Sequence, residues 1–501
     1  MRTMKVRCMN FIAQLRASLN GAPAHNLFEY RRRDYPRGEI NALAERTISL
    51  LDAAQVPHDA RIGVVVRNRP LHAAAMLGLI AYGRALTTIY AIQSPEAMAA
   101  EVEETRFGAV IADMRDWTPA LEAAVRATGA AAILLDHDAI AIEAAAGFER
   151  MEPGPRPLIE GERGIEILSS GTTGKPKRIL FPFRMLTRAV ESVAAARTGI
   201  DPEPDILTWP YGGIGGMCNL VAGVMLERHT TLLDKFNVPE WIEAVRKHRP
   251  KFLSGPPTVA RMALDAGVTR EDMASVQYFF GGGAAFSPEL QDEFEAAYDV
   301  KVIWAYGATE FCGTIISWTP ALYEAYRDTK RGAIGKALPG IELRVTDPET
   351  GEPVAAGEVG YLEAIVPVVK EGWIRTTDLV TIDVDGFVFH RGRGDGAIVR
   401  GGFKVLPEKI VSALQEHPSV LDAAVVGLPD ARLGEVPVAA VELRDGAPRV
   451  GEEALRDYAK KMLVVHHVPA RILILDQLPR TTSLKADLGA IRRLFAETEP
   501  A

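Results

Sequence analysis

The stretch "ARIGVVVRNRPLHAAAMLGLIAYGRALTTIYA", residues 60–91, sets the tightest limit on what this chain can fold into. A β-branched run, an Ala- and Leu-rich stretch and a second apolar β run follow one another directly, which reads as strand, helix, strand: a βαβ unit. Similar strand candidates recur at 108–114, 131–136, 230–236 and 252–257, with helical patterns between them, such as 239–248 and 287–297. Alternation on this scale predicts an α/β fold, a mostly parallel sheet clothed in helices. From about residue 340 the texture changes to short strands separated by turn residues ("IELRVTDPETGEPV", "GEVGYLEAIV"), which predicts an antiparallel region. Beyond Asp395 a small α/β tail is expected, with helices at 407–416 and 452–462 and strands at "AAVVGL" and "VAAVEL".

At 501 residues and 48% hydrophobic content the chain can bury a large core and should form more than one domain. A net charge of −8 disfavours nucleic acid or an anionic membrane surface and favours small-molecule partners. Cys8, Cys218 and Cys312 are too few and too dispersed for a disulfide framework or a zinc knuckle, so a reducing cytoplasm is expected. The N-terminal stretch lacks the sustained apolar core of a secretory signal, and no segment approaches the length of a membrane span.

Chemistry concentrates in four stretches. "ILSSGTTGKPKRILF" (167–181) places Ser169, Ser170, Gly171, Thr172, Thr173 and Gly174 before Lys175, Lys177 and Arg178, a combination of open backbone amides, hydroxyls and cations suited to phosphate. It is not a Walker loop: Ser169 holds the first glycine's place, Pro176 follows Lys175, and a strand rather than a helix comes next. The expectation is a flap between two strands; the plain alternative is a solvated hairpin turn. In "WAYGATEF" (304–311), Tyr306 can stack on a base, Thr309 can bond a phosphate and Glu310 can hold Mg²⁺, though each also reads as an ordinary core aromatic or surface polar residue. Within 373–407, Asp378 and Arg393 can hold a sugar or phosphate, or simply pair with other charges in a β-meander. In "LPRTTSLKADL" (478–488), Lys485 taken alone is a surface charge. A nucleophile elbow is absent, and the pair His466 and His467 is expected to point to opposite sides of a strand or apart on a helix, which argues against a zinc enzyme.

Jointly, from about residue 40 to 495, these stretches resemble the adenylate-forming superfamily of acyl-CoA synthetases, luciferases and peptide-synthetase adenylation domains. The resemblance implies a large N-terminal domain, residues 1–394, of two doubly wound mixed sheets plus a β-barrel-like subdomain, and a small mobile α+β domain, residues 395–501, swivelling about Asp395 and Gly396. It implies that Ser169 to Lys177 wrap the β- and γ-phosphates of ATP and that Gly282, Gly283 and Ala284 form the adenine and acyl-pocket segment. Tyr306, with Gly307 beside it, would pack on adenine, Thr309 would contact the α-phosphate and Glu310 would bind Mg²⁺. Asp378 and Arg393 would hold the ribose, Lys485 would be the catalytic lysine, and Gly402 would border the pantetheine tunnel of coenzyme A. Tyr211, Gly212, Gly213 and Phe311 are expected at the substrate pocket. Gly213 replaces a bulkier residue of the family, so a fatty, branched or arylalkanoic acid is expected, or else the glycines of "WPYGGIGGM" merely permit a tight turn. Further departures are Arg178, Thr377, Gly396, Lys409 and Leu484.

The reading implied is an AMP-forming acid:CoA ligase using ATP, Mg²⁺ and coenzyme A, with a homodimer left open. The alternatives are adenylation followed by transfer to a carrier-protein thiol or an amine, and an inactive nucleotide-binding relative.

Overall fold

The computed structural model describes residues 11–159, 161–169, 177–196, 204–283, 286, 288–393, 397–444, 446–479 and 486–497. The chain opens with α1 (Phe11–Leu19), the hairpin β1 (Asn26–Tyr30) and β2 (Arg33–Pro36), and α2 (Arg37–Ala53). The expected βαβ unit follows as β3 (Ile62–Val66), α3 (Pro70–Ala81) and β4 (Leu86–Tyr90). Every residue of β3 and α3 is buried, because β3 is central in its sheet and α3 is covered on its outer side by α2. That cover is close: a Cβ at Gly78 would lie 2.8 Å from the Ala44 carbonyl oxygen. Next come α4 (Pro95–Thr105), β5 (Ala109–Asp113), α5 (Pro119–Thr128), β6 (Ala131–Asp136), β7 (Ala141–Ala144), β8 (Gly164–Ser169) and β9 (Lys177–Pro182). Seven strands form one sheet in the order β7-β6-β5-β3-β4-β8-β9, parallel from β6 to β8 and antiparallel at both edges.

The middle of the chain supplies α6 (Leu186–Ala196), β10 (Asp205–Leu207), α7 (Ile214–Met225), β11 (Thr230–Leu232), α8 (Val238–His248), β12 (Phe252–Gly255), α9 (Pro257–Asp265) and β13 (Tyr278–Gly281). It continues with α10 (Pro288–Tyr298), β14 (Lys301–Ala308), β15 (Gly313–Ser317), α11 (Pro320–Tyr326) and β16 (Lys336–Ala337). A second sheet runs β12-β13-β14-β15-β16, parallel in its first three strands and antiparallel beyond. The strand expected at 230–236 is shorter, β11, and joins the N-terminal hairpin in a third sheet ordered β10-β11-β1-β2.

The antiparallel region is β17 (Glu342–Thr346), β18 (Gly360–Ile365), β19 (Ile374–Ile382) and β20 (Val388–Arg393), paired in that order. Its edge strands β17 and β20 do not pair with one another among the described residues, so it is an open sheet rather than a closed barrel. The tail forms β21 (Ile398–Arg400), β22 (Phe403–Val405), α12 (Pro407–Gln415), β23 (Val420–Asp430), β24 (Gly434–Leu443), α13 (Glu452–Met462), β25 (Ile472–Leu475) and α14 (Leu488–Glu497), with its own sheet and its own apolar clusters. Among the described residues no helix is long and apolar enough to cross a membrane. Cys218 and Cys312 are free and buried, and burial pushes the Cys312 thiol up to about 12.

Candidate active site

The phosphate-type loop does lie between two strands: β8 and β9 pair antiparallel with Ser169 opposite Lys177 as their last register pair. Ser170, Gly171, Thr172, Thr173 and Gly174 lie outside the described residues, as do Ala284, Asp395, Gly396 and Lys485. Arg178 turns away from the loop and anchors β9 to α4, donating to Glu101 Oε1 and Thr105 Oγ1, each at 2.8 Å. That ion pair accounts for a cation where the family pattern has a glycine.

A cavity of about 1420 Å³ opens between the large body and the C-terminal sheet. From the body it is lined by Gly283, Trp304, Tyr306, Gly307, Glu310 and Asp378, among others. Gly283 follows β13, Trp304, Tyr306 and Gly307 belong to β14, and Asp378 lies within β19, which the Tyr306–Asp378 hydrogen bond ties to β14. Trp304 is pinned there by Gly281, where a Cβ would sit 1.6 Å from its ring. Gly307 lets β15 come close, since a Cβ would lie 2.4 Å from the Gly313 carbonyl oxygen. Thr309 opens the 3-10 turn Thr309–Phe311, and the Glu310 side chain is exposed on the cavity wall, offering the hard oxygen donor that a phosphate-bound Mg²⁺ takes.

Tyr306 and Asp378 are joined directly. The Tyr306 hydroxyl donates to Asp378 Oδ2 at 2.6 Å, and burial, together with that carboxylate, pushes the Tyr306 hydroxyl well above its ordinary pKa. Asp378 stands opposite Arg393 in the β19–β20 register. Sequence reasoning missed His390, whose Nε2 lies 3.6 Å from Asp378 Oδ1. Strict alternation back from the Asp378–Arg393 pair places Arg391 opposite Val380. A bulge between Leu379 and Val380 puts His390 there instead, on the same face as Asp378.

The tail contributes the tip of the β21–β22 hairpin. Gly401 and Gly402 have φ of +57° and +86°, the positive values that a two-residue turn joining Arg400 to Phe403 demands. A Cβ on Gly402 would lie 3.5 Å from the Gly283 carbonyl oxygen, so the tip rests on the backbone that follows β13. Phe403 stacks on His466 with centroids 4.6 Å apart, and Arg400 donates to the backbone carbonyl of Val468 at 2.9 Å. His466 and His467 occupy a 3-10 turn, not a strand or α-helix, with ring centroids 4.7 Å apart, and both line the cavity. Burial first, then Arg400 and Lys409, lowers His466 to about 4; burial, His466 and Lys409 lower His467 to about 3. Both rings are therefore neutral at pH 7.

The four residues named for the substrate pocket fall in different surroundings. Tyr211 and Phe311 are buried, each in one of the two main apolar clusters, and are not among the residues lining this cavity. Gly212 and Gly216 serve close packing: added Cβ atoms would meet Tyr90 at 2.8 Å and the Pro210 carbonyl oxygen at 2.0 Å. Gly213 is different. It lines the cavity, and its nearest neighbour to an added Cβ is 3.7 Å away.

The AMP-binding enzyme family profile matches residues 15–370 and its C-terminal domain profile matches residues 409–485, so the chain belongs to the AMP-binding enzyme family. It is 28% identical over 497 residues to 4-coumarate--CoA ligase 5 of Oryza sativa subsp. japonica, covering 93% of this chain and 90% of that protein. In fold it is similar to a double mutant of o-succinylbenzoate CoA synthetase from Bacillus subtilis bound with a product analogue, at TM-score 0.81 and 22% identity over 96% of this chain and 98% of that one. The amide bond synthetase McbA of Marinactinospora thermotolerans is as similar, at TM-score 0.81 and 23% identity over 96% and 99% of the two chains.

Proposed function

We propose that the chain is an ATP- and Mg²⁺-dependent carboxylic acid:CoA ligase that forms an acyl adenylate and then an acyl-CoA thioester. The observation that carries this reading is the Gly401–Gly402 tip resting on Gly283 inside the cavity that holds Tyr306, Glu310 and Asp378. A nucleotide site needs no such insertion; a site that must next admit a thiol along a narrow backbone-lined path does. The likeness to CoA ligases over nearly the whole chain supports the same acceptor.

In this reading Ser169 to Lys177 hold the β- and γ-phosphates, Tyr306 packs on adenine, and Asp378 and Arg393 take the ribose. Thr309 would contact the α-phosphate, and Glu310 would hold Mg²⁺, which would supply neutralising charge to the phosphates. Lys485 bonds the acyl carboxylate and an α-phosphate oxygen, orienting the nucleophile and screening the meeting of two anions. Residues 1–394 then act as the adenylation body and 395–501 as the moving domain, with Asp395 and Gly396 as hinge. The free cysteines fit a cytoplasmic setting.

The deciding experiment is a panel of carboxylic acids assayed for pyrophosphate release with and without CoA, with mass detection of the thioester. Release without thioester, and product only with an added amine or carrier thiol, would move the acceptor to one of those. Asp378→Asn should raise the KM for ATP about 10- to 100-fold, the size expected for losing a hydrogen bond to a charged group, with kcat changed less; initial rates of pyrophosphate release test this.

Gly213 marks the acyl end. Gly213→Phe should place a ring in the open space there, raising the KM for branched or aryl acids about tenfold or more while leaving short acids near wild type, as the same assay would show.

A further inference from the structure

The β21–β22 hairpin reaches the cavity with a Gly–Gly turn, the two loosest residues a chain can set at a point where placement matters. Glycine takes either sign of φ at little cost, so such a turn has many shapes open to it unless something outside it decides. The large body decides little. An added Cβ would come no nearer to the body than 3.5 Å at Gly402, on the Gly283 carbonyl oxygen, and 3.6 Å at Gly401, on Thr258 Cγ2. That is contact without grip.

The tail supplies the grip. Gly401 N donates to the Leu433 carbonyl at 2.6 Å, beside the point where Arg400 pairs with Gly434 of β24. Arg400 and Phe403 are the register partners that close the turn, and both reach the same neighbour, residues 465–468. Arg400 Nη1 faces three carbonyls there, those of Val468 at 2.9 Å, His466 at 3.2 Å and Val465 at 3.4 Å. Phe403 stacks on the His466 ring with centroids 4.6 Å apart and planes 19° apart. This support is itself tied down: His467 N donates to the Val464 carbonyl at 2.8 Å, and Ala470 N to the Pro437 carbonyl of β24 at 2.8 Å. One flank of the tip is therefore held by hydrogen bonds and the other by a ring, on a single stretch of backbone.

Arg400 stands behind the tip. It does not line the cavity, and among the described residues no carboxylate pairs with it. A guanidinium carries five N–H donors in one rigid plane and no acceptor, so it can fix the orientation of a turn whose carbonyls face it.

We propose that Arg400 is a positioning residue for the second half-reaction: by binding the hairpin to residues 465–468 it fixes where Gly402 stands when the acceptor thiol arrives. This rests on the thioester-forming reading above. Adenylation, during which the hairpin is withdrawn in the proposed cycle, does not depend on Arg400. A shift of about 1 Å between held reactants costs about 10²-fold in rate, so the loss of this tie falls on one step.

The test compares the full-length wild type, Arg400→Met and Arg400→Lys, with the acid that the panel selects. Pyrophosphate release without CoA reads the first step, and chemically prepared acyl adenylate with CoA, followed by mass detection, reads the second. In Arg400→Met the kcat for thioester formation should fall about 10²-fold, while the KM for CoA, pyrophosphate release and the thermal midpoint stay near wild type. Arg400→Lys should fall between, since an ammonium can meet a carbonyl but cannot hold a plane. If Arg400→Met does not fold, Arg400→Lys decides: slower thioester formation at normal pyrophosphate release supports the role, and wild-type behaviour overturns it. A raised KM for CoA at unchanged kcat would make Arg400 a ligand contact, and equal loss of both steps would make it a purely structural residue; either overturns the positioning role. A wild-type chain that releases pyrophosphate but makes no thioester would overturn the acceptor reading, and this inference with it.

Discussion

Lys485→Ala should bind ATP almost normally yet form acyl adenylate about 10²–10³-fold more slowly, the loss typical of removing one preorganised donor from a transition state. A carboxylate attacking the α-phosphorus brings two anions together, and the transition state spreads further charge over non-bridging oxygens. A cation fixed at that point is useful chiefly once the charge has developed, so its loss falls on kcat rather than on ATP affinity. The described residues on either side are tied to one another without Lys485, Asp487 N donating to the Pro479 carbonyl at 2.8 Å. Leu478 beside it is buried and its N–H donates to Glu442 Oε2 at 3.0 Å, and Asp487 goes on to cap α14 through Ala490 N at 2.9 Å. Thermal unfolding should therefore be unchanged, and chemically prepared acyl adenylate supplied with CoA should still be converted to thioester. Pyrophosphate exchange near the wild-type rate would remove Lys485 from the chemistry.

How much of this was legible beforehand depends on whether the signal was local. The β3–α3–β4 unit was readable because its strands are almost wholly buried on both faces and so are written as short runs rich in β-branched residues. The β8 and β9 strands flanking the phosphate-type loop were readable because Pro176 and "RILFPF" deny a helix. Features set by pairing were not. The β1–β2 hairpin joins β11 across some two hundred residues of sequence, and nothing local to the hairpin announces that partner. His390 reaches Asp378 only through a bulge, which shifts the faces of β20 by one residue without altering the pattern of residue types. Phe311 and Trp304 are both aromatic and near one another in sequence, yet one closes a core and the other lines the cavity; the 3-10 turn after β14 decides, and no single residue encodes it. His466 and His467 were read as diverging because strand and helix geometries separate neighbours, whereas a tight turn keeps both on one side.

Gly402→Leu should separate the two half-reactions in the opposite sense to Lys485→Ala. Pyrophosphate release without CoA should stay within about twofold of wild type, while thioester formation should fall at least about 10²-fold, as expected when reacting groups are held even slightly out of place. Two independent constraints meet at this residue. Its φ of +86° is a backbone conformation that a branched side chain resists, at a cost of about 1–3 kcal/mol. Beyond that strain, the first added carbon already sits 3.5 Å from the Gly283 carbonyl oxygen, and the rest of a leucine must project into the cavity or push the hairpin off the body. Either result blocks the path by which a pantetheine thiol reaches the acyl carbon. Adenylation escapes because in the proposed cycle the hairpin is withdrawn while Lys485 is at work. Gly402→Ala sorts the two constraints: it shares the backbone strain but adds only the carbon at 3.5 Å, so it should be impaired less than leucine if blockage dominates. Single-turnover assays that follow acyl adenylate and thioester in one reaction measure both steps, and equal loss of both in Gly402→Leu would mean that the hairpin tip serves adenylation as well.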